Sequence, residues 1–131
     1  MNANPVVMTV TAAADLPKGT LVTAAGVKAD KDTTSHVALG AVILDTLSGK
    51  SAPVAVGCAC EVLLDAASAD PVAGDQLYLD DDGRAIVGSI TSLASLYIGV
   101  ALGAPFVGEN GTDSYVWAYI MPNNPAIDAN T

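Results

Sequence analysis

The chain has 131 residues, 51% of them hydrophobic but only 5% aromatic, and a formal net charge of -9 from 14 acidic and five basic side chains. That length fits one domain whose core needs no staples. The basic residues, Lys18, Lys28, Lys31, Lys50 and Arg84, are scattered, which excludes the clustered cations that hold nucleic acid and disfavours an anionic membrane surface. No run approaches the about 18–20 apolar residues of a membrane helix, and the opening MNANPVVMTV has neither region of a secretory leader.

Ala, Val, Leu and Gly carry the apolar mass, as expected of thin sheets stacked about 10 Å apart. Residues 1–5 are polar, end in Pro5, and read as an arm. From Val6 to Ala12 apolar side chains alternate with Thr9 and Thr11, the period-2 pattern of a half-buried strand. Leu16 to Gly19 is a turn, Thr20 to Thr23 a short strand, Gly26 a second turn, and Ala29 to Ser35 a polar loop. His36 to Leu44 reads as a buried strand interrupted by Gly40, where a bulge or close backbone approach is expected. Val54 to Leu64 reads as the longest strand. Gln76 to Asp80 and Arg84 to Val87 flank Asp81-Asp82-Gly83, a hairpin signal. Leu96 to Leu102 is a further strand, Gly103 to Ser114 a long loop, Ser92 to Tyr97 a possible single helical turn, and Tyr115 to Met121 the last strand, stopped by Pro122. The expectation is one all-β domain, a compact barrel or sandwich: arm 1–5, core 6–121 and tail 122–131, with the arm and tail flexible.

An internal copy shows in the spacing. Ala12 to Asp15 matches Ala67 to Asp70, and Gly19 matches Gly74, at an offset of 55; Gly26 matches Gly83 at 57, and Gly40 matches Gly99 at 59. Asp15–Gly26 and Asp70–Gly83 therefore read as two versions of one β-rich unit.

Motifs with chemistry are thin. Gly49-Lys50-Ser51 resembles the end of a phosphate loop, but Leu44 stands where the first Gly is needed and Ala52-Pro53 leads into a strand, not a helix. His36 is the one imidazole, and no nucleophile elbow accompanies it. Cys58 and Cys60 fall on the apolar face of one strand, a poor geometry for a mutual disulfide and an environment that keeps thiols inert. Two Cys and one His fall short of a zinc set. Asp75, Asp80, Asp81 and Asp82 do not follow the calcium-loop pattern and read as a solvated tip. Asn110-Gly111-Thr112 is a turn. The expectations are no enzyme, no cofactor, no metal and a reducing cytosol.

Interaction signals are better. Tyr115, Trp117, Tyr119 and Met121 share one face of the last strand, which takes three of the chain's one Trp, four Tyr and one Phe. Such rings are enriched at interfaces and equally suit an ordinary core. The arm, Asn2 to Val7, can extend about 23 Å and add a strand to a neighbour's sheet. Asn4, Pro5, Val6, Val7, Tyr115, Trp117 and Tyr119 are the candidate contact residues.

Ala-Asp-Leu-Pro-Lys-Gly-Thr-Leu-Val at 14–22, His36 to Leu44 around Gly40, Val54-Ala55-Val56, Gly74-Asp75-Gln76-Leu77-Tyr78-Leu79-Asp80 with Gly83, Ile98 to Leu102 and the closing Tyr/Val strand together resemble the capsid decoration (cement) proteins of tailed bacteriophages. The resemblance spans residues 6–121 and rests on turns and strands. It implies a small β-barrel or sandwich bound to the major capsid protein on the outer surface of an icosahedral head, as homotrimers near three-fold axes. Assembly would take place in the bacterial cytoplasm, and the protein would stabilise the head without catalytic residues. Two other readings stand beside it: a fibre or tail accessory module, and a small hydrolase using His36 with a Ser or Cys.

Overall fold

Where the sequence alternates, the chain is extended. The computed structural model describes residues 6–31, 37–88, 96–108 and 111–121. Its strands are β1 (Val6–Thr11), β2 (Leu21–Val22), β3 (Gly40–Val42), β4 (Ser51–Val56), β5 (Cys58–Leu63), β6 (Gln76–Leu79), β7 (Ala85–Val87), β8 (Tyr97–Ala101), β9 (Phe106–Val107) and β10 (Ser114–Ile120), with one 3-10 turn at Asp81–Gly83. β1 to β4 form a sheet in the order β1-β4-β3-β2. The others form a second sheet in the order β5-β10-β8-β6-β7, with β9 also beside β10. The ladders are antiparallel. The expected all-β sandwich is therefore present; the barrel alternative is not, since neither sheet closes.

Several boundaries differ from the sequence reading. Val54 to Leu64 is two strands in two sheets, because Gly57 takes φ +65 and breaks the run where a side chain would be strained. Of His36 to Leu44 only Gly40–Val42 is strand, and His36 lies outside the described residues, as do residues 1–5, most of the Ser92–Tyr97 turn, Asn110 and the tail. Thr20 to Thr23 shortens to β2, and the long loop before Ser114 contains β9, which pairs with β10 at Phe106 and Val107. The acidic turn closes the expected hairpin between β6 and β7 as a 3-10 turn whose middle residue, Asp82, leaves helical geometry at φ +56.

The two sheets repeat one plan. Replacing β1, β4, β3 and β2 by β5, β10, β8 and β6 leaves the strand order unchanged. The correspondence extends to single hydrogen bonds. Gly19 N–H donates to Val42 O at 2.7 Å, and Gly74 N–H to Ala101 O at 2.8 Å; Val42 N–H returns to Thr20 O at 2.9 Å, and Ala101 N–H to Asp75 O at 2.8 Å. Thr23 N–H to Val27 O is matched by Asp80 N–H to Arg84 O, and Ala12 N–H to Lys50 O by Leu64 N–H to Ser114 O. Registers agree too: Ala41 opposite Ala55 corresponds to Val100 opposite Tyr119, and Thr9 opposite Pro53 to Glu61 opposite Trp117. The Asp15 and Asp70 stretches are the turn-and-strand segments of these two units.

Alternation then divides the core. In the second sheet Cys60, Val62, Leu77, Ile98, Ala101, Val116, Ala118 and Ile120 form one apolar layer, and the first sheet adds Leu21, Ala41 and Ala55 to it. The next residue on each of those first-sheet strands, or the one before it, points the other way. Val22, Val42 and Val54 join Val10, Ala12, Leu16 and Ala52 in a second cluster. The first sheet is thus apolar on both faces. Its far face is closed by its own chain, since the β1–β4 pairing runs on past the strands until Leu16 meets Thr46, with Leu16 N–H to Thr46 O at 2.7 Å.

Candidate interaction surfaces

The side chains that alternate inward on β10 force their neighbours outward, and the register sets them in rows across three strands. Tyr119 stands between Ala59 of β5 and Val100 of β8. Trp117 lies opposite Glu61 on one side, and on the other its carbonyl accepts the N–H of Leu102 at 2.7 Å. Tyr115 lies between Leu63 and Phe106. The three sequence candidates on this strand do share a face, but not an environment. Trp117 is 48% and Tyr119 45% exposed, whereas Tyr115 is 5% exposed.

Tyr115 is buried because the turn after Leu16 and the loop after β9 close over it. Its ring stacks on Phe106 with centroids 6.0 Å apart and planes at 21°, Lys18 Nζ sits 5.6 Å from its centroid, and Gly19 and Gly108 pack against the ring carbons. Burial raises the phenol's pKa, against the opposing pull of Lys18. Lys18 also pairs with Glu61 at 3.4 Å, and its backbone N–H donates to Asp45 Oδ1 at 2.7 Å. Tyr115 is a core ring, and the accessible surface is Trp117, Tyr119 and Met121 with Ala59, Val100 and Leu102 beside them. Val100 and Leu102 were missing from the sequence candidates because only strand order, which periodicity does not report, places β8 next to β10. A depression of about 170 Å³ at the edge of this face is lined by Lys18, Ile43, Ala59, Cys60, Glu61 and Trp117.

Cys60, at its floor, is a free thiol whose pKa is pushed up to about 12, first by burial and then by Cys58 and Glu61. It is protonated at neutral pH and apolar in character, as its strand face implied.

The second candidate, the arm, leads into β1. Asn4 and Pro5 lie outside the described residues, and Val6 pairs with Val56. β1 is the outer strand of its sheet. Because Ala12 N–H reaches Lys50 O, alternation turns the backbone groups of Val7 and Thr9 away from β4. The side chains of Val7 and Met8, on opposite faces, are both exposed. Among the described residues no strand pairs with that side of β1, and an edge with outward backbone groups and apolar side chains is a template for strand addition.

The acidic residues do not gather. Asp80 is 5% exposed, not solvent-facing as its turn suggested; Lys31 Nζ lies 2.6 Å from its Oδ1. Asp75 Oδ2 accepts the N–H of Val72 at 2.9 Å, and Asp81 and Asp82 are exposed. Among the described residues no three His, Cys, Asp or Glu side chains are placed to hold a metal ion. A wider hollow of about 370 Å³ exposes Asp15, Asp45 and Asp113. Each carboxylate there has a structural partner: Ser48 N–H, Lys18 N–H and Arg84 Nη2 respectively.

No protein-family model and no curated protein sequence matches the chain. Among solved structures, the chain is similar in fold to the head fiber gp8.5 N base of bacteriophage phi29. The TM-score is 0.53 at 16% sequence identity, over 88% of this chain and 94% of that one. At that identity the likeness is one of fold, and it does not by itself confirm the decoration family expected from the sequence.

Proposed function

We propose that this chain is a structural, non-enzymatic component of a bacteriophage virion. It binds the major capsid protein on the outer surface of the head as a homotrimer and stabilises the shell, having assembled in the host cytoplasm without cofactor or metal. The observation that carries this reading is the fold likeness to a phage head fiber base over nearly the whole of both chains. The turn-and-strand resemblance to capsid decoration proteins points the same way. Two surfaces suit attachment, the β1 edge and the Trp117–Tyr119 face, while the net charge of -9 suits the exterior of a shell and not its DNA-facing interior. Many copies on a lattice need only weak individual contacts, because multivalency supplies the avidity.

A second reading is favoured by the same likeness: the chain is the base of a head fibre, which holds a projecting element at the shell. Cosedimentation with purified mature heads tests attachment, and enrichment no greater than that of an unrelated acidic protein would refute both. Cryo-EM of decorated heads separates them. Density at every local three-fold position supports decoration, and density continuing outward into a fibre supports the base.

A further inference from the structure

The duplicated plan leaves one interface made and its copy unmade. Within the chain, the first unit lays the Ala41–Ala55 face of β3 and β4 over the layer that contains Cys60 of β5. The contact is closed at one end by Leu63 N–H donating to Gly19 O at 2.9 Å. The counterparts of Ala41 and Ala55 are Val100 and Tyr119 in the second unit, by register; the counterpart of Cys60 in the first unit is Met8. Burial separates these pairs. Ala41 and Ala55 are buried, whereas Val100 is half-buried and Tyr119 exposed; Cys60 is 4% exposed, whereas Met8 is 46% exposed. Ile43, which lines the depression beside Cys60, corresponds to Leu102, and both are exposed, 36% and 50%.

Each chain thus carries the two halves of the same contact on different units: the β8–β10 half is uncovered, and the first unit's half is uncovered at its β1 edge, at Met8, while Val10, Val42 and Val54 behind it are closed over by the chain itself. We propose that copies of this chain associate head to tail, with the β1 edge around Met8 of one copy seated on the β8–β10 face around Tyr119, Trp117 and Leu102 of the next. This rests on the proposal that the protein works as an oligomer and is independent of capsid binding. Charge favours a second copy as the occupant. The β1 segment VVMTVT carries no charge, and among the described residues the rows across the facing surface set Ala59, Tyr119 and Val100 beside Trp117 and Glu61, whose carboxylate pairs with Lys18. Two strongly acidic chains therefore meet where neither has net local charge. The bulk of Val100 and Tyr119, where the internal contact has alanines, holds the neighbour further off than β3 and β4 stand from β5. A contact between two different surfaces propagates, and it closes into a ring when its rotation divides a full turn.

The test uses the full chain, with Met8→Glu and Tyr119→Glu made separately, and light scattering after gel filtration across a concentration series. The wild type is expected to run as a multiple of the single-chain mass and each variant as one chain. Because each variant spoils a different surface, an equimolar mixture keeps one good contact and is expected to recover twice the single-chain mass and no more. That recovery also shows that both variants fold. A mixture that stays at one chain overturns the proposal. So does a Met8→Glu protein that still assembles, which would mean that two Tyr119 faces meet each other. A wild type that is a single chain at every concentration also overturns it and leaves the face to a different protein, such as the shell.

Discussion

Gly40 and Gly99 hold the same place in the two units. A β-carbon on Gly40 would lie 2.0 Å from the carbonyl oxygen of Ala55, and one on Gly99 would lie 2.0 Å from that of Tyr119. Each glycine lets a short strand cross close to the next, so the gap in the apolar runs HVALGAVIL and LYIGVAL is a packing requirement.

Alanine at either position should therefore cost about 3 kcal/mol or more, because the obstacle is backbone and cannot swing aside. Gly103, with nothing within 4 Å of its β-carbon position, is the control. Gly103→Ala should leave stability unchanged or raise it by about 0.4–1 kcal/mol through the unfolded chain. Urea midpoints at constant slope decide between these outcomes.

Those glycines also show what was legible from the residues. The duplication was visible at three glycine pairs, Gly19 and Gly74, Gly26 and Gly83, Gly40 and Gly99, because turns need particular residues at fixed offsets; the match of Ala12 to Ala67 did not hold, since Ala12 stands in the place of Leu64. The strands β1 and β10 were visible because period-2 alternation survives where one face is wet, and β6 and β7 because the Asp82-Gly83 turn between them marks a hairpin, although Leu77, Tyr78 and Leu79 are all buried. What failed was the stretch Val54–Leu64, where alternation runs unbroken through Gly57 while the backbone changes sheet. Alternation reports faces and is blind to which sheet a strand joins. Asp80 was misplaced for a related reason. Its neighbours Asp81 and Asp82 mark a tip, but its cation partner, Lys31, is 49 positions away in sequence. Tyr115 was indistinguishable from Trp117 by parity, since the cover over it comes from the turn at Lys18 and Gly19 and the loop at Gly108.

The Asp80–Lys31 pair gives a pH dependence. Burial by itself would raise the Asp80 carboxyl, but the hydrogen bond and charge of Lys31 hold it below its ordinary value. A carboxylate depressed in the fold stabilises it above the unfolded pKa and loses that contribution as pH falls through the folded value. The wild type should therefore lose stability below about pH 4. Lys31→Met, which leaves the buried charge unpaired, should cost about 1–3 kcal/mol at pH 7, and its deficit should shrink towards pH 3. Thermal melts of both proteins from pH 3 to pH 7 would show the curves converging; parallel curves would remove Asp80 from the account.

The two thiols should differ in reactivity. Cys60 is buried on the core side of β5 with its pKa at about 12, while Cys58 is half-buried near the strand's start. At pH 8 a chromogenic disulfide reagent should label one thiol per native chain, and both in urea. Mass mapping should place the native label on Cys58. Fast labelling of Cys60 without denaturant would mean that the first unit does not cover it in solution.

Tyr115 and Trp117, two residues apart on one face, should separate stability from binding. Tyr115→Ala removes a ring stacked on Phe106 and held under Lys18, and should cost about 3–5 kcal/mol. Trp117→Ala removes a ring that is already half in water, so its stability should change by no more than about 0.5–1 kcal/mol. If the exposed rings are an attachment surface, Trp117→Ala should nevertheless weaken association at least tenfold, as for an aromatic hot spot of about 1.4 kcal/mol or more. The measurements are a urea melt of each variant, light-scattering mass over a dilution series, and cosedimentation with heads. Loss of self-association with head binding intact assigns the face to other copies of the chain, and the opposite pattern assigns it to the shell. A Trp117→Ala protein that behaves as wild type in all three would leave β1 as the attachment surface.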